Sequence, residues 1–573
     1  MQKLNLNFLK GTWKLTKLYW QSEEKWRSLG LLAVIVILTL GSVYLLVLLN
    51  GWRNNFYTAL QNYDKAGLIN GVGYFIVIAF IHIIVAVYRL YLSQLLELRW
   101  RKWLTSYYLK NWLNKRAYYL MQITSNGADN PDQRISEDLK AFVTLTLDLS
   151  LGTLKAAVTL ISFIFILWEL SGEMTIPLGQ NEYVIPGYLV WVTIIYAVAG
   201  NWLTVKIGRP LVKLNFFQQR YEADFRFSLV RLRENSESIA FYGGETQEGA
   251  NFGSRFKLVV DNFFEVMKRQ KKLTWFVSGY GQTAVIVPLV LALPSYLSKK
   301  ITLGGFLQIS EAFGNVQDSL SYFVDNYSKL AEWQAVVSRL LGFVENVDVV
   351  QNLAEQPNLV SGYTAEPSFS AVGLNVYLPT GEQLINDFEL KLAPGDSLLV
   401  TGPSGCGKST LLRTLAGIWP FGNGKITRPE NFKVLFLPQK PYLPLGSLRD
   451  ILLYPGGTEA INDERIKKVI ILCRLEELAD KLDIVESWSH ILSLGEQQRI
   501  AFARAILQQP DWLFLDEATS AMDEPMEQAL YSLIGQELQN TAIISVGHRS
   551  TLISYHKLKL NFTDEGRWCL MTS

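Results

Sequence analysis

The first 330 residues hold repeated segments of 18 or more mostly apolar residues, and a chain with such segments has few ways to fold. An apolar stretch of that length matches a hydrocarbon layer of roughly 30 Å, where the backbone must satisfy its own hydrogen bonds, so the segments predict membrane-crossing helices. Hydropathy places six, near 29–49, 71–94, 142–168, 184–205, 273–298 and 302–327. An even number puts both ends on one side. The two long connections are basic, with Arg99, Arg101, Lys102, Lys110, Lys115 and Arg116 in one and Lys206, Arg209, Lys213 and Arg220 in the other, whereas the short ones carry few cations. Positive loops stay inside, so both termini are expected in the cytosol. The long connections keep helical apolar spacing, which predicts helices that continue out of the bilayer.

Residues 1–28, with Phe8, Trp13, Leu15, Leu18 and Trp20 among lysines, predict an amphipathic elbow lying on the membrane ahead of an uncleaved anchor. The membrane domain is expected over 29–340. A polar linker follows over 341–370, and an α/β pattern over 371–573. Net charge is only +2, which gives no reason to expect a nucleic-acid partner. The three cysteines, Cys406, Cys473 and Cys569, are too few for a disulfide framework and fit a reducing compartment.

From Ser397 the chain reads SLLVTGPSGCGKSTLLRTLAGI, an apolar strand, a glycine-rich turn and a helix. This is the phosphate-loop pattern GxxxxGK[ST] in its required context. Gly402, Pro403, Ser404, Gly405, Cys406, Gly407, Lys408, Ser409 and Thr410 would curl N–H groups around phosphates, with Lys408 on the β- and γ-phosphates and Ser409 on Mg2+. Downstream, WLFLDEATSAMD is a buried-strand pattern that delivers two acids at its end. Asp516 would hold Mg2+, and Glu517 would serve as general base toward water.

Between them lies LSLGEQQRIAFARAIL, Leu492 to Leu507, which resembles the signature of the ATP-binding cassette (ABC) family. The resemblance implies that Ser493, Gly495 and Glu496, at a helix start, reach the nucleotide held by the opposite subunit. Leu494 stands where the family has Gly; a side chain there removes no backbone donor. Gln439 resembles the Q-loop residue, a further candidate for Mg2+ and catalysis, Ser520 to Asp523 the D-loop, and His548 the switch histidine. Tyr377 is placed to stack on adenine. His82, His490 and His556 match no motif and read as structural. Cys406 reads as a tolerated small residue, with a redox switch as the alternative.

Whole-chain strings narrow the resemblance. NGWRNNFYTALQNYD, LRWRKWLTSYYLKNWLNKRAYY, NPDQRISED and SESIAFYGGE are similar to two related groups of half-transporters: the bacterial family linked to uptake of vitamin B12, bleomycin and antimicrobial peptides, and subfamily D of peroxisomes and lysosomes. The fold so implied is an all-α, exporter-type six-helix transmembrane domain fused to an α/β phosphate-loop nucleotide-binding domain. A homodimer in a bacterial inner membrane follows, burning ATP with Mg2+ and moving hydrophilic, cobalamin-like or peptide-like cargo, with coupling segments near 120–135 and 215–245. Fatty acyl-CoA transport and a nucleotide-gated channel remain the rival readings.

The last span carries its own signal. Glu311, Asp318, Asp325 and Glu332 recur every seven residues, with Gln308, Asn315 and Tyr322 between them, on one helical face. Asp148 and Lys155 in the third span are also seven apart. Carboxylates at a bilayer centre cost about 3 kcal/mol or more each, so the stripe predicts a wet cavity. Asp325 and Glu332 read equally well as surface residues of a cytosolic extension.

Overall fold

In a computed structural model the described residues are all except 1–5, 125–129, 179–180, 356–358, 431, 457–460, 564–566 and 573. They form two units, residues 1–113 with 129–346, and residues 114–128 with 347–573.

The apolar segments fold as helices far longer than a bilayer requires. In chain order they are α1 (Leu6–Trp20), α2 (Lys25–Gln61), α3 (Lys65–Leu113), α4 (Ala117–Thr124) and α5 (Pro131–Gln133), which passes through a π turn at Arg134–Asp138 into α6 (Leu139–Ser171). Then come α7 (Tyr188–Glu234), α8 (Ser236–Tyr242), α9 (Glu245–Leu297), α10 (Leu303–Asp325) and α11 (Tyr327–Glu355). At 1.5 Å per residue, α3 and α9 each extend about 70 to 80 Å, so more than half of each stands beyond the hydrocarbon. Protein covers only 6% of the most apolar stretch of the α3 helix.

Among the described residues, five helices are long and apolar enough to cross a membrane, one fewer than the six spans expected. The sixth, α10, falls short because its polar face dilutes its hydropathy. Its other face, Ile309, Ala312, Phe313 and Val316, is fully buried, with three of the four in a core shared with α6, α7 and α9. The fourth span, expected from 184, starts at Tyr188. The residues up to Pro186 are paired as a strand and Gly187 takes φ +63°, outside the right-handed helical region, so the helix begins after them. Ahead of it, β1 (Glu173–Leu178) and β2 (Asn181–Pro186) pair as an antiparallel hairpin in one of the short connections. In the elbow, Leu15 and Tyr19 are buried while Trp13 is exposed, and Tyr19 stacks on Trp100 of α3 at 5.6 Å.

The second unit contains β3 (Leu359–Thr364), β4 (Phe369–Tyr377), β5 (Gln383–Leu392), β6 (Ser397–Thr401), α12 (Lys408–Leu415), β7 (Gly422–Pro429), β8 (Val434–Leu437), β9 (Gly446–Ser447), α13 (Leu448–Leu453) and α14 (Asp463–Leu472). After these come β10 (Val485–Glu486), α15 (Trp488–Ile491), α16 (Leu494–Gln508), β11 (Trp512–Asp516), α17 (Glu524–Glu537), β12 (Ala542–Val546), β13 (Leu558–Phe562) and β14 (Trp568–Thr572). One sheet has the order β14-β13-β6-β12-β11-β8, parallel except for β14; a second has the order β3-β7-β4-β5. In the first sheet β6, β12 and β11 are neighbours, so the segments leaving them meet at one carboxyl edge, where ligands bind in open parallel sheets.

The stretch 341–370, expected to be a linker, is largely ordered secondary structure; 356–358 lie outside the described residues. It is helical to Glu355 and then supplies β3, which pairs in parallel with β7 through buried Leu359. Part of the segment expected near 120–135 belongs to this unit as well. Arg116 donates to the Gly417 carbonyl at 3.0 Å, and Ile123 of α4 packs on the sheet core; 125–129 lie outside the described residues.

Candidate functional site

The phosphate loop leaves β6, buried from Ser397 to Val400, and enters α12. Gly402 is held at φ +147° with Phe562 behind it, and a Cβ there would come within 2.8 Å of the Phe562 backbone oxygen, so no other residue fits. Lys408 is buried, and its Nζ donates to the Gly402 and Pro403 carbonyls at 2.9 and 2.6 Å. These neutral partners satisfy its hydrogens and leave its charge uncompensated, which suits an anion in the loop. Cys406 Sγ lies 4.0 Å from the same ammonium.

Ser409, one residue on, donates its hydroxyl to Asp516 Oδ1 at 2.8 Å. Burial pushes the Asp516 carboxyl above its ordinary range, with the Ser409 hydrogen bond and Arg413 opposing. Two oxygens this close, one on a desolvated carboxyl, form a donor set of the kind Mg2+ takes from protein.

Glu517 sits in the left-handed region at φ +49°, unusual for a residue with a side chain, and strain of this kind collects at functional sites. Its N–H donates to the Val546 carbonyl at 3.1 Å, tying it to the end of β12. There its carboxylate accepts from Gln439 Nε2 at 3.1 Å, and its other oxygen stands 3.5 Å from His548 Nε2. Glu517, Gln439 and His548 thus converge, although Gln439 bonds to Glu517 and not to the Ser409–Asp516 pair.

Ser493 caps α16. Its hydroxyl and N–H both donate to Glu496 at 2.6 and 2.9 Å, which holds that carboxyl below its ordinary value. Among the described residues no hydrogen bond joins Ser493, Gly495 or Glu496 to the phosphate loop. Tyr377 ends β4 half-buried, its carbonyl accepting from Trp419 Nε1 at 2.9 Å and its hydroxyl from Asn423 at 3.4 Å.

Sequence reasoning missed Gln498. Fully buried, it donates to the Gln439 carbonyl at 2.8 Å and to Ser520 Oγ at 3.1 Å, and it accepts from the Ala521 N–H at 3.1 Å. One side chain thereby ties the signature helix to the Gln439 and Ser520 segments. The available signal was a QQ dipeptide leading into the apolar stretch 500–503.

In the helical unit, a cavity of about 500 Å³ is lined by Arg53, Tyr57, Leu307, Ser310, Glu311, Gly314, Asn315 and Asp318. Three residues of the expected stripe meet there. Asp148 and Lys155 are outside this lining, and Asp148 instead pairs with Lys329 at 3.6 Å. Asp325 ends α10 and Glu332 belongs to α11, also outside it. Arg53, unanticipated, enters from α2 with Nε 3.5 Å from Glu311.

Long membrane helices followed by a parallel-sheet unit with a phosphate loop and paired acids define a membrane protein that binds nucleotide. Residues 15–297 match the family described as ABC transporter transmembrane region 2, and residues 385–520 the family described as ABC transporter. The inner membrane ABC transporter ATP-binding protein YddA of Escherichia coli is 33% identical over 93% of this chain and 94% of its own. The lysosomal cobalamin transporter ABCD4 of Homo sapiens is 27% identical over 99% and 97%. A solved structure of a bacterial Atm1-family ABC exporter with ATP bound shares the fold at TM-score 0.72 and 18% identity, covering 96% of this chain and 95% of that one. The chain belongs to the ABC transporter family, as a half-transporter homologous to bacterial YddA-like and ABCD-subfamily proteins.

Proposed function

We propose that two copies of this chain form an ATP-hydrolysing transporter that takes up hydrophilic solutes, with both nucleotide-binding units in the cytosol of a bacterial inner membrane. The observation that carries the hydrolytic part is Glu517, held between Gln439 and His548 one residue beyond the Asp516–Ser409 pair. The basic connections support the orientation, and the mixed polar cavity supports hydrophilic cargo, since Leu307 is the one aliphatic side chain in its lining.

In this reading Tyr377 stacks on adenine and the loop from Gly402 to Thr410 wraps the phosphates. Lys408 turns from the Gly402 and Pro403 carbonyls toward the β- and γ-phosphates. Ser409 and Asp516, with Gln439 reaching in, would hold Mg2+, which supplies charge neutralisation on the phosphates when bound. Glu517 accepts the proton of the attacking water, while Gln439 and His548 fix its orientation. Ser493 and Gly495 of the second copy close each site from across the dimer, with Glu496 fixing the Ser493 rotamer. Closing and reopening reach the cavity through the segments near 120–135 and 215–245.

The test is ATP hydrolysis by the full chain in proteoliposomes, with cobalamin, a basic peptide and an acyl-CoA as candidate stimulants and Glu517→Gln as control. Stimulation by cobalamin or the peptide, abolished in the variant, is expected. Stimulation by acyl-CoA alone overturns the cargo class, and full activity in the variant overturns the mechanism.

A further inference from the structure

We propose that the cavity between α2 and α10 binds a linear zwitterion about 10 Å long, its anion on Arg53 and its cation on Asp318. The inference rests on the transport reading, in which this cavity is the cargo seat, and it specifies the charge pattern of the cargo.

An acidic stripe alone would select a cation. Arg53 changes that. It stands in the lining together with Glu311 and Asp318, so the cavity presents both signs of charge. Glu311 is engaged by the protein through Oε2. It accepts from Asn50 Nδ2 at 2.9 Å and lies 3.5 Å from Arg53 Nε. Asn50 is fully buried and is itself fixed by Gln308, whose Nε2 donates to Asn50 Oδ1 at 3.0 Å and whose Oε1 accepts from Asn54 at 2.8 Å. This network joins α2 to α10 and orients Glu311 as a brace for Arg53. The brace uses Nε, and the two terminal nitrogens of the guanidinium form a second fork that a carboxylate can take end-on.

Asp318 lies seven residues beyond Glu311 on the same face of α10, about 10 Å along the helix axis. Among the described residues no Lys or Arg pairs with it, and it lines the same cavity. A single ligand therefore meets a cation at one end and an anion at the other, with Ser310 and Asn315 in the same lining as hydrogen-bonding side chains. The volume of about 500 Å³ is that of a small-molecule site. A ligand of negative charge alone would leave Asp318 without a partner, and one of positive charge alone would leave the second fork of Arg53 unused.

Triglycine, with free termini and no side chains, spans about 10 Å when extended. Its binding to the full chain in lipid nanodiscs without nucleotide, by calorimetry, is compared with that of N-acetyl-triglycine and triglycine amide. Capping either end is expected to weaken binding by about tenfold or more. Arg53→Gln should erase the difference between triglycine and its amide, Asp318→Asn the difference between triglycine and its acetyl form, and Arg53→Lys should restore part of the first. Unliganded melting temperature and elution volume report whether each variant folds, and the wild-type comparison needs no variant. Equal binding of the three probes, or binding of none at millimolar concentration, overturns the proposal. Absence of ATP hydrolysis strikes the transport reading instead, because the titration uses no nucleotide.

Discussion

Arg339 of α11 grips Asp138 with two parallel hydrogen bonds, Nε to Oδ2 at 2.9 Å and Nη2 to Oδ1 at 2.6 Å. Arg134 adds a third at 2.7 Å, and the carboxylate between them is buried. Removing it leaves two guanidiniums facing each other. Asp138→Ala should therefore lower stability by about 3 kcal/mol, the low end for a buried pair because Arg339 is partly exposed. Arg339→Lys, which keeps the charge and loses the fork, should cost about 1 kcal/mol. Thermal unfolding in detergent checks both, and equal melting temperatures for wild type and Asp138→Ala would remove the clasp from the account.

Gln498 is a positioning residue, since it touches the Gln439 and Ser520 segments and not the phosphate loop. Gln498→Leu fills the same volume but strands a buried carbonyl, a hydroxyl and an N–H. ATP hydrolysis should then fall about tenfold or more in kcat with KM for ATP little changed, because the loss is in assembling Glu517 and its neighbours. A change confined to KM would place Gln498 in nucleotide binding.

The phosphate loop, the paired acids and the signature were legible because each is a local pattern whose chemistry dictates its spacing, as Gly402 and Lys408 illustrate. Arg53 was not, because its role arises only when α2 lies against α10, more than 250 residues away in sequence. A signal did exist: Asn50, Arg53, Asn54, Tyr57 and Gln61 follow the first apolar run at steps of three and four, marking a polar face on α2. Strand β3 reads as linker because Ser361 and Gly362 hide its alternation, and only its pairing with β7 makes Leu359 a core residue.

The three thiols differ in what surrounds them. Cys473 is fully buried and its thiol is pushed up to about 12, so it should resist alkylation, whereas Cys569 is exposed on the last strand. Cys406 lies inside the phosphate loop beside Lys408. Maleimide treatment should abolish ATP hydrolysis, prior ATP should protect, and Cys406→Ala should be resistant. Unchanged hydrolysis after labelling of Cys406, read by mass spectrometry, would contradict this.

His556 is held neutral. Nδ1 donates to the Leu552 carbonyl at 2.7 Å, and Nε2 accepts from Ser545, whose hydroxyl oxygen in turn accepts from Tyr531 at 3.2 Å. Burial pushes the imidazole below its ordinary value, so the unfolded chain binds this proton more readily than the folded one. Stability is then present above the unfolded value and lost as pH falls through it toward the folded one, at up to about 1.4 kcal/mol per unit. Melting temperature should drop between pH 7 and 5.5 more steeply in wild type than in His556→Gln. Parallel curves would show that other groups set the acid limit.

Gly304 marks where α10 meets α2. A Cβ there would fall 1.9 Å from the Asn54 carbonyl oxygen and 2.5 Å from Thr58 Oγ1, and the nearer of these is backbone that cannot swing aside. The same approach places Thr58 on Thr302 at 2.8 Å and Asn54 on Gln308. Gly304→Ala should therefore force the helices apart and cost about 1 to 3 kcal/mol by overpacking. Gly314→Ala makes the same chemical change on the same helix where nothing lies within 4 Å of the new methyl, and should leave stability unchanged or raise it by up to about 1 kcal/mol through helix propensity. Because both substitutions replace glycine by alanine in α10, a difference between their melting temperatures isolates the contact from the propensity. Equal melting temperatures for the two variants would mean that α2 and α10 do not touch at Gly304.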